Sequence, residues 1–106
     1  MTAPDKAAVG AFLRAHEAEL SRLGVARLGL FGSVARGEAG PESDVDVLVE
    51  FAPGKKGFAA FTELAFWLED ALEHPVELVT PESLSPYLAP RILGTVEVVF
   101  EADRAG

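Results

Sequence analysis

Apolar positions along this chain change their period several times, and each change marks an element. Val9, Phe12, Leu13, His16, Leu20 and Leu23 recur at three- and four-residue steps, which predicts a helix from Pro4 to Leu23 that Gly24 stops. The run from Val25 to Phe31, marked by Leu28, Leu30 and Phe31, predicts a strand leading straight into Gly32-Ser33. Ser33 is expected to cap a brief helical turn through Ala35 and Arg36, since its hydroxyl can accept an N–H left free at a helix start, and Gly37 to Pro41 to break that turn. Val45 to Phe51 then alternates, with Val45, Val47 and Val49 on one face and Asp44, Asp46, Leu48 and Glu50 on the other. One face is core, and the other begins with acids.

Pro and Gly make Ala52 to Gly57 a loop, and Lys55 and Lys56 give it a basic edge. From Phe58 to Leu72, apolar residues at three- and four-residue steps (Phe61, Leu64, Ala65, Leu68) predict a second amphipathic helix packed on the sheet. His74-Pro75 resets the backbone before a short strand, Val76 to Val79, in which Glu77 faces away from Val76. Thr80-Pro81-Glu82 and Ser85-Pro86 both read as helix starts for a segment ending at Gly94. Thr95 to Phe100 alternates Val96, Val98 and Phe100 against Glu97 and Val99 as a last strand, and a fraying tail follows. Strands and helices interleaved in this way predict an α/β (α+β) fold.

Composition narrows what such a fold can do. At 106 residues the chain is expected to form one small domain. A net charge of -8 argues against a general nucleic-acid surface, because such binding relies on Lys and Arg to neutralise phosphates. Cysteine is absent, which excludes disulfides, thiolate metal sites and cysteine nucleophiles. No basic start precedes an apolar run, and no stretch nears the roughly 20 apolar residues needed to span a bilayer, so a cytoplasmic location is expected and no membrane partner.

The candidate chemistry gathers around two short runs. Asp44 and Asp46 are two apart on a strand, so their carboxylates project to one side and can grip one or two divalent cations. Magnesium suits them, as a hard ion that takes oxygen ligands and bridges phosphates. An Asp-x-Asp pair alone is ordinary strand-edge surface, and Gly-Ser alone is an ordinary turn. Their combination is far more specific, because Gly32 permits close backbone approach and the turn's N–H groups, with the Ser33 hydroxyl, can hold phosphates. Arg36 is a candidate contact for a phosphate or a partner, or plain surface. His16, among apolar helical positions, is expected to be a packed or rim histidine, His74 to lie in a loop, and Trp67 to serve as core or partner contact.

The run Gly-Ser-Val-Ala-Arg-Gly-Glu-Ala-Gly-Pro-Glu-Ser-Asp-Val-Asp-Val-Leu-Val, residues 32–49, resembles the signature of the polymerase-beta-like nucleotidyltransferases, specifically the minimal nucleotidyltransferases that lack a further domain. The resemblance extends over essentially the whole chain, through the later helix, Val-Glu-Leu-Val-Thr-Pro and the closing Arg-Ile-Leu. It implies a mixed sheet with helices mainly on one side, in which residues 1–23 form an N-terminal helix and 24–101 a catalytic core. It implies Asp44 and Asp46 as magnesium ligands, Gly32 and Ser33 as the phosphate cradle, and Glu77 as the third carboxylate, where the family usually has Asp. The extra methylene of Glu77 loosens the geometry it can impose.

The same resemblance implies ATP as donor, two magnesium ions, and transfer of AMP to a hydroxyl, a Tyr, on a helical HEPN-domain toxin encoded nearby. The chain would then act as the antitoxin of a type VII-like toxin–antitoxin pair, as a hetero-oligomer or a homodimer. The alternative is a weak or inactive relative that neutralises its partner by contact alone.

Overall fold

The computed structural model describes residues 5–54 and 57–102. Helices α1 (Lys6–Ala15) and α2 (Glu17–Arg22) precede strand β1 (Val25–Phe31), the short helix α3 (Gly32–Arg36) and strand β2 (Val45–Phe51). Helix α4 (Phe58–Leu72), strand β3 (Val76–Val79), a 3-10 turn (Pro81–Ser83), helix α5 (Ala89–Leu93) and strand β4 (Glu97–Glu101) complete the order. The sheet runs β3-β2-β1-β4 and is mixed: β1 is antiparallel to β2 and β4, while β2 and β3, joined through α4, are parallel. A parallel pair needs such a crossover, because a tight hairpin can only reverse the chain.

Alternation along the strands separates two faces. Leu28, Leu30, Val45, Val47, Val49 and Phe100 join Leu13, Leu20, Leu64 and Leu68 of the helices in one core, and Val34 of α3 closes it. Leu48 is also buried but stands outside that cluster, on the opposite face with Asp46. There the chain between β3 and β4 returns across the sheet. Val96 Cγ1 lies 2.4 Å from where a Cβ on Gly29 would stand, so only a residue without a side chain fits at that point of β1.

Several boundaries depart from the periodic reading. The first helix is two. Asp5 caps α1 by accepting from the N–H groups of Ala7 (2.7 Å) and Ala8 (3.2 Å), and the helix breaks at His16 (φ -112°, ψ 32°). The His16 ring lies 2.9 Å from the Phe12 carbonyl through Nδ1, which therefore carries the proton, and this is the carbonyl an unbroken helix would reserve for the His16 N–H. That N–H bonds Leu13 O instead, at 3.1 Å. The ring also stacks on Phe12, with centroids 4.2 Å apart, and meets Trp67 edge-on, which bears out a packing role for both His16 and Trp67.

Ser33 is not the cap of α3: Phe31 occupies that position and no side chain caps the helix, because the helix begins at Gly32, two residues earlier than a Ser33 cap requires. Of the two helix starts expected between Thr80 and Gly94, the first opens a 3-10 turn at Pro81, whereas Ser85 Oγ accepts from Leu88 N–H at 3.2 Å ahead of a short helix that begins only at Ala89. β4 begins at Glu97, and a bulge opposite Leu28 and Gly29 shifts its phase. Val99 is thereby buried and Val98 half exposed, and Arg14 Nη1 donates to the Val99 carbonyl at 3.3 Å. On α4, Phe58 and Phe66 are exposed and the core side is held by Leu64 and Leu68. The expected basic edge at Lys55 and Lys56 lies outside the described residues.

Because Leu64 is fully buried between α4 and the sheet, Leu64→Ala is expected to destabilise the fold by about 3 kcal/mol. Urea unfolding followed by far-UV circular dichroism measures it.

Candidate active site

Three strands meet in register where β1 hands the chain to the Gly-Ser turn. Phe31 pairs with Asp46, and Asp46 pairs with Glu77 across the parallel ladder. Residues opposite one another share a face, so Asp46 and Glu77 stand side by side. Asp44, two residues before Asp46, belongs to the same face just ahead of β2. Val45 N–H donates to Pro75 O at 2.8 Å and ties the start of β2 to the approach of β3, so the backbone under these acids is held on both flanks.

The loop that delivers Asp44 is held by a residue whose spacing alone does not single it out. Ser43 Oγ accepts from Gly40 N–H at 2.8 Å, and Ser43 N–H returns a bond to Gly40 O at 3.1 Å. This closed turn makes 40–43 a stiff approach to the acids. A Ser three residues after a Gly in a Pro-containing loop is a faint signal for it. Gly32, at φ 72°, brings the backbone of the other loop against the same place, with half-buried Ser33 next in the chain.

Asp46 is half-buried while Asp44 and Glu77 are exposed. Burial, reinforced by the charge of Glu77 and then of Asp44, pushes the Asp46 carboxyl above its ordinary value, and Arg36 pulls it the other way. Arg36 is therefore within electrostatic reach of the acids. Its Nε donates to Glu38 Oε1 at 2.9 Å, and it stands on the rim of an open hollow of about 510 Å³ floored by Val34, Ala35 and Ala39. Among the described residues, no three acids or histidines are gathered closely enough to form a ready metal-binding group. The donors themselves are all carboxylate oxygens at one corner of the sheet, and that set fits a hard divalent cation. His74, by contrast, is buried in the loop before β3, and His16 packs on the helices.

A mixed sheet with paired carboxylates beside a strand-to-helix Gly-Ser turn defines the polymerase-beta-like nucleotidyltransferase class. The chain belongs to the nucleotidyltransferase domain family, whose sequence profile matches residues 13–99. It is 42% identical over 93 residues to the protein adenylyltransferase MntA of Thermococcus cleftensis, covering 87% of this chain and 91% of that one. A solved structure provisionally described as a minimal nucleotidyltransferase superposes with a TM-score of 0.74 at 34% identity, over 88% of this chain and 94% of the other. A toxin–antitoxin crystal structure with AMP-PNP superposes with a TM-score of 0.62 at 26% identity, over 83% of this chain and 75% of that one. Among the described residues no helix is long and apolar enough to cross a membrane.

The crowding at Asp46 makes a stability prediction with a definite sign. A carboxyl whose pKa is raised by folding destabilises the fold when ionised, and the penalty fades as pH falls through the raised value toward the unfolded one. In chelator-treated buffer at neutral pH, Asp46→Asn is expected to raise the melting temperature, with a gain held to about 1 kcal/mol or less by solvent screening. The difference from wild type should shrink as pH is lowered toward 4. Differential scanning calorimetry across that pH series checks both the sign and the trend.

Proposed function

We propose that this chain transfers AMP from ATP to a hydroxyl of a protein partner, a Tyr of a HEPN-type toxin, and so serves as the antitoxin of a toxin–antitoxin pair. The observation that carries this reading is the register that sets Asp46 beside Glu77, two residues after Asp44 and next to the Gly32-Ser33 turn. Two comparisons support the choice of nucleotide and partner. The Thermococcus cleftensis relative is named a protein adenylyltransferase, and a structural neighbour is a toxin–antitoxin pair with AMP-PNP.

In this reading the N–H groups of the turn and the Ser33 hydroxyl bind the phosphates, and Arg36 exchanges Glu38 for a phosphate oxygen. Asp44 and Asp46, with Glu77, would hold magnesium, which when bound supplies positive charge to the triphosphate and the departing pyrophosphate. Glu77, exposed at the rim, accepts the proton of the attacking hydroxyl. The hydroxyl oxygen bonds to the α-phosphorus as the bond to the β-phosphate oxygen breaks. The partner brings its own hydroxyl to this corner of the sheet. The whole chain, 1–106, then works as a minimal catalytic domain in the cytoplasm, within a hetero-oligomer.

Incubation with α-labelled ATP, Mg²⁺ and the helical protein encoded beside it should label that protein. Asp44→Asn and Asp46→Asn should each abolish the label, and Glu77→Gln should slow it by about a hundredfold. Neutralisation of the partner with no label on it would reject transfer and favour inhibition by contact.

A further inference from the structure

Gly32 is where the turn after β1 meets the carboxylate of β2. A Cβ built on it would lie 2.1 Å from Asp46 Oδ2, 3.1 Å from the carboxyl carbon and 3.4 Å from the Asp46 Cβ. No side chain tolerates an approach of 2.1 Å, so any residue but glycine would drive the Asp46 carboxylate out of its present orientation. The ways out are unfavourable, because Glu77 stands beside Asp46 on one side and Asp44 lies on the same face along the strand.

Backbone strain alone does not set Gly32 apart. Gly54, just beyond the other end of β2, has φ 76° against φ 72° at Gly32, yet a Cβ there would meet nothing within 4 Å. The two glycines share the left-handed conformation that disfavours other residues. They differ in contact, and Gly32 has it with the one half-buried acid of the site.

We propose that Gly32 is a positioning residue for Asp46: the bare Cα of the turn forms a wall that holds the Asp46 carboxylate in the orientation from which it takes the cation. The inference rests on the reading of Asp46 as a cation ligand. It assigns the glycine a role separate from phosphate approach, one that acts before any nucleotide arrives. The turn that receives phosphate and the strand that presents the carboxylate then form one unit, with Gly32 as the surface between them. Groups that orient a metal ligand without touching the metal commonly alter affinity by about ten- to a hundredfold.

The test uses the full chain without nucleotide. Mn²⁺ binding to wild type, Gly32→Ala and Gly54→Ala is titrated by electron paramagnetic resonance of the free ion, and urea unfolding is measured for both glycine variants in wild-type and Asp46→Ala backgrounds. The expected result is unchanged Mn²⁺ affinity in Gly54→Ala, a loss of about tenfold or more in Gly32→Ala, and an excess destabilisation of Gly32→Ala over Gly54→Ala that vanishes once Asp46 is trimmed. Wild-type affinity in Gly32→Ala, or the same excess in the Asp46→Ala background, would overturn the inference while leaving the cation reading intact. A wild-type chain that binds no Mn²⁺ would overturn the cation reading and this inference together. Should Gly32→Ala alone fail to fold, folding restored by Asp46→Ala supports the contact, and a double variant that stays unfolded overturns it.

Discussion

Register between three strands is the constraint from which the site follows. Phe31, Asp46 and Glu77 lie opposite one another, and side chains alternate along each strand. A slip of one residue in β2 would turn Asp44 and Asp46 into the helical core and expose Val45, Val47 and Val49. The core residues therefore do more than stabilise the sheet. By demanding that three valines face Leu64 and Leu68, they hold the acids on the other side.

That arrangement brings charge where the fold alone would not choose it. Asp46 is partly withdrawn from water beside two further carboxylates, a combination that raises the free energy of its ionised form. Core packing and the bonds at both flanks of β2 keep the backbone in place despite this. Functional sites commonly store such unfavourable interactions, and in the proposed reading a divalent cation converts this one into attraction. Arg36 offers only partial relief, since its guanidinium is shared with Glu38.

The scaffold around the acids is small, and its irregularities sit away from them. The helix break at His16 follows from a ring that takes a backbone carbonyl, and the bulge at Val99 from a strand that must bury two successive apolar residues. Both adjust how the first helices and β4 close the core. Neither moves β1, β2 or β3, whose Val25–Phe31, Val45–Phe51 and Val76–Val79 bounds match their hydrophobic patterns.

Local periodicity thus determined these three strands, α4 and the residue types available for chemistry, because each depends on neighbours a few positions away, while the mixed sheet was implied by the family resemblance alone. The Ser33 cap, the continuous first helix and the phase of β4 were misjudged from the pattern. They hinge on which residue closes a turn or takes a carbonyl, and propensity is nearly indifferent to that choice. Local spacing is silent on Glu77 standing next to Asp46 and on the lack of room for a Cβ between Gly32 and the Asp46 carboxylate; tertiary structure decided both, since residues 31 and 14 positions apart in the chain become neighbours solely through the pairing and packing of separate strands.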